Sequence, residues 1–222
     1  MTTALTLHRS DPAPDVLDSV TPGLVLKLTA PRLRKSLLPR ERLHQMRESA
    51  DDVEVILVEA PAGYGKTSLL AQWRLDWLHS GALVTWFELD SDESVTSLGS
   101  GIIEGLRRAC GRADFGHDAL ECIRRGSGFT QAATSLLAEI ADNAHPTVII
   151  LDNGERPSSP ELMDLCNYLL HNLPPNLQIV IGSRTRLPLA TGDLLAHGNL
   201  LQLNIKSLQF DLEETHALLT QK

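Results

Sequence analysis

The 222-residue sequence is short of everything that would staple, export or anchor a small protein. Its three cysteines, Cys110, Cys122 and Cys166, form no C-x-x-C pair, and its eight histidines carry no metal-ligand spacing. That pattern argues against a disulfide framework and a structural zinc site, and a reduced, cytoplasmic chain is the expectation. No window approaches 18 unbroken apolar residues, so no membrane-spanning helix is expected. The first residues carry Asp11, Asp15 and Asp18 in place of an apolar core, so no secretory signal of the usual kind is expected. Positive charge is in deficit too, with 20 Lys and Arg against 28 Asp and Glu and a formal charge of −8. A large nucleic-acid face needs clustered cations to displace counterions, so none is expected on this chain.

What the sequence does have is LVEAPAGYGKTSLL at residues 57–70, directly after the apolar run Val53, Val55, Ile56, Leu57 and Val58. The phosphate-binding loop consensus is Gly, four residues, Gly-Lys, then Ser or Thr, set between a buried strand and a helix. Gly65, Lys66 and Thr67 match it, and Ala60 stands at the first glycine. The glycines that must let backbone N–H groups curl around phosphates are Gly63 and Gly65, so the substitution is tolerable. The cradle then comprises Ala60, Pro61, Ala62, Gly63, Tyr64, Gly65, Lys66, Thr67 and Ser68. In such a loop the lysine reaches the β and γ phosphates and the Thr67 hydroxyl ligates Mg²⁺ at the positive end of a helix. Leu69, Leu70, Trp73 and Trp77 recur at spacings of three and four, the pattern of one buried helix face.

Further along, ALVTWFEL at 82–89 reads as a buried strand. Val95, Leu98, Ile102, Ile103 and Leu106 mark a helix weakened by Gly99, Gly101 and Gly105, and residues 111–128 are Gly-rich without clear period. A second helical face carries Leu136, Leu137 and Ile140. TVIILDN at 147–153 is a continuous apolar run ending in an acid, typical of a parallel strand covered on both faces. Asp152 lies at the edge where α/β sheets bind ligands and is the candidate second magnesium-holding group, and the alternative is a strand that simply stops at an Asp-Asn turn. Ser158, Ser159, Pro160 and Glu161 open a helix whose buried side carries Leu162, Leu165 and Leu169. LQIVIGSR at 177–184 is a fourth strand, with Arg184 where a cation can sense a γ phosphate. LLQLNI at 200–205 reads as a short fifth, followed by Phe210 and the helix start DLEETHALL. Strands alternating with helices predict an α/β fold, a P-loop NTPase with a parallel sheet and helices on both faces.

Six segments in order, KLTAPRLRKSLLPRERL, APAGYGKTSLLAQW, VTWFELDSDES, VIILDN, LPPNLQIVIGSRTRLPLA and LQFDLEETHALL, resemble the nucleotide-binding domain of MalT-like STAND-class ATPases, which include the large LuxR-type transcriptional regulators. The resemblance implies an ADP-bound resting form that exchanges to a self-associating ATP-bound form, with DNA contacted only through a C-terminal domain. It makes Asp152 the Walker B acid and Arg184 the sensor, and it puts Arg40 near the nucleotide in a segment that covers the site. The expected division is a mobile leader over 1–23, a basic covering linker over 24–50, the NTPase domain over 51–207, and the start of a truncated helical subdomain over 208–222. One departure stands out: the family follows its Walker B acid with a second acid and a nearby His, whereas this chain reads Asp152-Asn153-Gly154-Glu155. Asparagine can orient a water but not accept its proton, so slow hydrolysis is expected, with Glu155 or Asp90 as substitute bases. The rival readings are a small P-loop kinase and a degenerate nucleotide-binding module that serves only as an interaction surface.

Overall fold

A computed structural model describes residues 21–220 other than 35, 36, 51 and 158. The expected leader therefore lies outside the described residues except for its last three, as do Ser158 and the last two residues of the chain. Five strands form one sheet: β1 (Val55–Glu59), β2 (Leu83–Glu88), β3 (Thr147–Asp152), β4 (Leu177–Ser183) and β5 (Leu200–Leu203). Their order is β2-β3-β4-β1-β5, and every pairing is parallel. Before β1 come α1 (Pro22–Lys27) and α2 (Glu41–Glu48), and after it α3 (Lys66–His79). Between β2 and β3 lie α4 (Val95–Cys110), α5 (His117–Arg125) and α6 (Phe129–Ala141), and α7 (Pro160–Leu170) connects β3 to β4. The remaining elements are α8 (Gly192–His197), α9 (Ile205–Leu208) and α10 (Leu212–Thr220).

Alternation along the strands sends side chains to two separate cores. Ile56, Val58, Trp86, Ile150 and Val180 face α3, where Leu69, Leu70, Trp73 and Trp77 meet them. Val55, Leu57, Phe87, Leu151 and Ile181 face α4, α5, α6 and α7. Both faces are thus covered, which is why the strands read as unbroken apolar runs.

Two expectations need correcting. Residues 111–128 are not formless, because α5 occupies 117–125 between left-handed glycines at Gly116 (φ 68°) and Gly126 (φ 66°), and it buries Ala119 and Leu120. Its apolar face is too short to carry a period through the flanking glycines. The fifth strand stops at Leu203, since the Asn204 side chain caps α9 by accepting from the Lys206 and Ser207 N–H groups.

The glycines of α4 have a packing role. A Cβ on Gly105 would stand 1.8 Å from Thr85 Oγ1, and one on Gly101 would stand 2.1 Å from the Phe87 ring. The helix lies against β2 at a distance only glycine allows. Gly101→Ala would gain about 1 kcal/mol of helix propensity, but Phe87 is fully buried and cannot yield. Overpacking costs about 1–3 kcal/mol. A net loss of stability is expected, read as a lower urea midpoint at unchanged m-value.

Candidate nucleotide-binding site

All five strands point their C-terminal ends at one edge of the sheet, and the turn after β1 lies there. Gly63 (φ 89°) and Gly65 (φ 77°) both take the left-handed conformation, and Gly65 caps the N-terminus of α3. Neither conformation is comfortable for a side chain, so the turn depends on those two glycines. Lys66 is buried, and its ammonium donates to the carbonyls of Ala60 (2.6 Å) and Pro61 (3.0 Å). Burial lowers its pKa, against the opposing pull of Glu155 and Asp152, with Arg184 adding to the lowering. A desolvated ammonium at a helix N-terminus is a place where added negative charge is favourable.

Thr67, next on the same helix, donates through Oγ1 to Asp152 Oδ2 at 2.8 Å. Asp152 is 4 % exposed, and its other oxygen accepts the Asn153 N–H at 3.0 Å. Burial raises the Asp152 pKa from its ordinary value, against the hydrogen bonds from Thr67 and Asn153. A hydroxyl and a buried carboxylate in contact beside an ammonium form the oxygen donor set that a hard divalent cation takes next to a phosphate.

Asn153 is the one non-glycine residue with positive φ among those described, at 60°. Its amide donates to Glu88 Oε1 at 3.0 Å. Glu155 is held by Arg184, whose Nε lies 3.2 Å from Oε1 and whose backbone N–H donates to Oε2 at 2.8 Å. Glu155, Asp152 and Arg184 all act on Lys66, so these sequence candidates share one electrostatic environment.

Beside the phosphate loop opens a cleft of about 480 Å³. Ala62, Gly63, Tyr64, Gly65 and Ser68 line its floor; Leu37, Leu38 and Arg40 form one wall and Leu208, Gln209, Phe210 and Leu218 the other. The walls are tied together by Arg40, which donates through Nε to Glu214 Oε1 (2.7 Å) and through Nη2 to Glu214 Oε2 (3.1 Å) and Leu208 O (3.1 Å). Its guanidinium lies 4.4 Å from the Phe210 ring centroid. Arg40 therefore sits in the cleft wall as a clasp on the far segment. Phe210, Glu214 and Glu88 are site residues that sequence reasoning missed. The first two lay inside the quoted LQFDLEETHALL, yet spacing gave no sign that this segment returns to the phosphate loop.

A strand, a glycine turn, a capped helix and a Thr–Asp contact at the C-terminal edge of a parallel sheet define a nucleotide-binding P-loop domain of the ATPase type. Its ordered motifs find relatives to match: 28% identity over 197 residues with the HTH-type transcriptional regulator MalT of Vibrio campbellii, covering 88% of this chain and 21% of that protein. The serine/threonine-protein kinase PknK of Mycobacterium tuberculosis is 31% identical over 216 residues, 96% of this chain and 19% of PknK. Over most of its length the chain resembles the MalT-like P-loop ATPases, and it spans about a fifth of the length of these relatives. No family model matches it. Among solved structures, a chain from Drosophila ORC bound to AT-rich DNA and Cdc6 overlays with a TM-score of 0.47 at 13% identity, over 78% of this chain and 56% of that one. None of the helices among the described residues is long and apolar enough to cross a membrane.

The Arg40–Glu214 pair has 9% side-chain exposure on both sides. Removing one partner of a buried pair strands the other and costs about 3–5 kcal/mol. Glu214 is the only residue of α10 that is buried, so the loss should appear as local opening. Glu214→Ala is expected to abolish amide-exchange protection across α10 and to expose residues 208–220 to protease, with the unfolding midpoint of the sheet little changed.

Proposed function

We propose that this chain is the ATP/ADP-binding switch module of a STAND-type signal-transduction ATPase, acting within a LuxR-type transcriptional regulator in the cytoplasm. The observation that carries the reading is the cleft beside the phosphate loop, whose two walls come from segments about 170 residues apart and are clasped by Arg40 and Glu214. A nucleotide seated with its phosphates on Lys66 would touch both walls at once. In this reading residues 24–50 cover the site, 51–207 form the nucleotide-binding body, and 208–222 begin a following helical subdomain. A change at the γ phosphate is then conveyed to that subdomain as a displaced wall.

The named roles follow the site. Ala60 to Ser68 cradle the phosphates, Lys66 neutralises the β and γ groups, and Thr67 with Asp152 holds Mg²⁺, which when bound screens phosphate charge. Arg184, half exposed and held by Glu155, reaches for the γ phosphate. In this reading nucleotide-dependent self-association is a property of the full-length protein, and contact with DNA is made through a C-terminal domain. The relatives' names differ in output, transcription in one and protein phosphorylation in the other. That favours a shared module whose own task is to report nucleotide state. With Asn153 after the Walker B acid, turnover is slow, as a timer requires and a motor does not.

Denaturing the purified chain and chromatographing what is released tests the reading. ADP or ATP is expected from the parent and none from Lys66→Ala. Mg·ATP at a hundredfold excess over its Kd should add about 2.7 kcal/mol, a Tm rise of roughly 5–10 °C for a chain of this length. A parent that releases no nucleotide and shows no shift would dismiss the switch.

A further inference from the structure

The position after Asp152 holds an amide, and that amide is aimed at a carboxylate one strand away. Glu88 closes β2 as the register partner of Asp152 on β3. Partners in register on parallel strands show their side chains to the same face. Two residues earlier on each strand, Trp86 and Ile150 both lie in the core beneath α3. Glu88 therefore shares the face of Asp152 and of the helix that carries Lys66 and Thr67. Its side chain is 47% exposed, so water reaches it, and Arg156 Nη1 lies 3.9 Å from the oxygen that accepts from Asn153. The two carboxylates suggested by sequence are engaged elsewhere. Glu155 holds Arg184 with both oxygens, and Asp90 pairs with Lys27 and Arg156, each at 3.6 Å.

We propose that Glu88 is the general base of ATP hydrolysis in this domain and that Asn153 is the residue positioning it. The inference rests on reading the site as one that binds Mg·ATP. Asn153 Nδ2 orients the Glu88 carboxylate, and its carbonyl oxygen is free to accept a hydrogen from the attacking water. As the water oxygen bonds to the γ phosphorus, the bond to the β,γ-bridging oxygen breaks and its electron pair leaves with ADP. Glu88 takes one water proton and returns it to solvent after inorganic phosphate departs.

The test compares the parent chain with Lys66→Ala, Glu88→Gln and the double variant Glu88→Gln/Asn153→Asp. Binding is followed with a fluorescent ATP analogue, and chemistry by single-turnover release of γ-labelled phosphate. Glu88→Gln is expected to bind within about threefold of the parent and to lose about 100-fold in phosphate release, the usual contribution of a positioned base. The double variant returns a carboxylate to the other end of the same hydrogen bond and should recover at least tenfold of that loss, which a merely structural role would not produce. Phosphate release by Glu88→Gln at the parental rate overturns the assignment. So does a parent that binds Mg·ATP but releases no more phosphate than Lys66→Ala. A parent that takes up no Mg·ATP removes the nucleotide reading itself, and the role of Glu88 with it.

Discussion

Everything at the functional edge depends on the hydrogen bond between Thr67 and Asp152. Thr67 opens the helix that follows β1 and Asp152 ends β3, and these two strands are not neighbours, because β4 runs between them. The contact crosses that strand at Gly182, where a Cβ would stand 2.9 Å from Asp152 Oδ1 and 2.8 Å from Leu70. A side chain there would push the carboxylate away from the helix and lift the helix from the sheet. One missing methyl group thus sets the distance between the phosphate loop and the acid. The depth of the resulting pocket explains the electrostatics, since both Lys66 and Asp152 are disfavoured in their charged forms by burial. Each is a charge that burial leaves in want of a counter-charge, and a metal-bound phosphate would supply both.

The sheet was legible because its chemistry is local. Continuous apolar runs such as TVIILD need cover on both faces, and the glycines and Lys-Thr of the loop have few other uses. The edge candidates Asp152, the last residue of β3, and Arg184, the residue after β4, could be named because a strand's end is fixed once the strand is. The resemblance pointed to the wall that carries Arg40, but the far wall was not legible, because it comes from a distant segment tied back by one glutamate in a chain holding many. Glu88 was hidden for a different reason: its meaning lies in a register, Glu88 opposite Asp152, that no linear spacing encodes. The helical glycines misled in the opposite sense, since Gly101 and Gly105 looked like weakness and turned out to be contact surface.

The cleft binds fold to function through unequal stability. The body of the domain has two apolar cores, whereas α10 is anchored through Glu214 and leaves Leu212 (88% exposed) and Leu219 (80% exposed) outside. A rigid floor and a weakly held wall are what a ligand-responsive site needs, because binding energy applied at the floor can reposition the wall without disturbing the sheet.

The left-handed backbone at Asn153, φ 60°, has a further consequence. Few residues other than glycine, asparagine and aspartate occupy that region without strain. The turn after β3 is therefore a filter on what the edge can become. A glycine there loses the grip on Glu88, an aspartate sets two carboxylates side by side, and most other side chains strain the turn that holds Asp152 in place. The set of side-chain arrangements open at this edge is limited less by chemistry than by one dihedral angle.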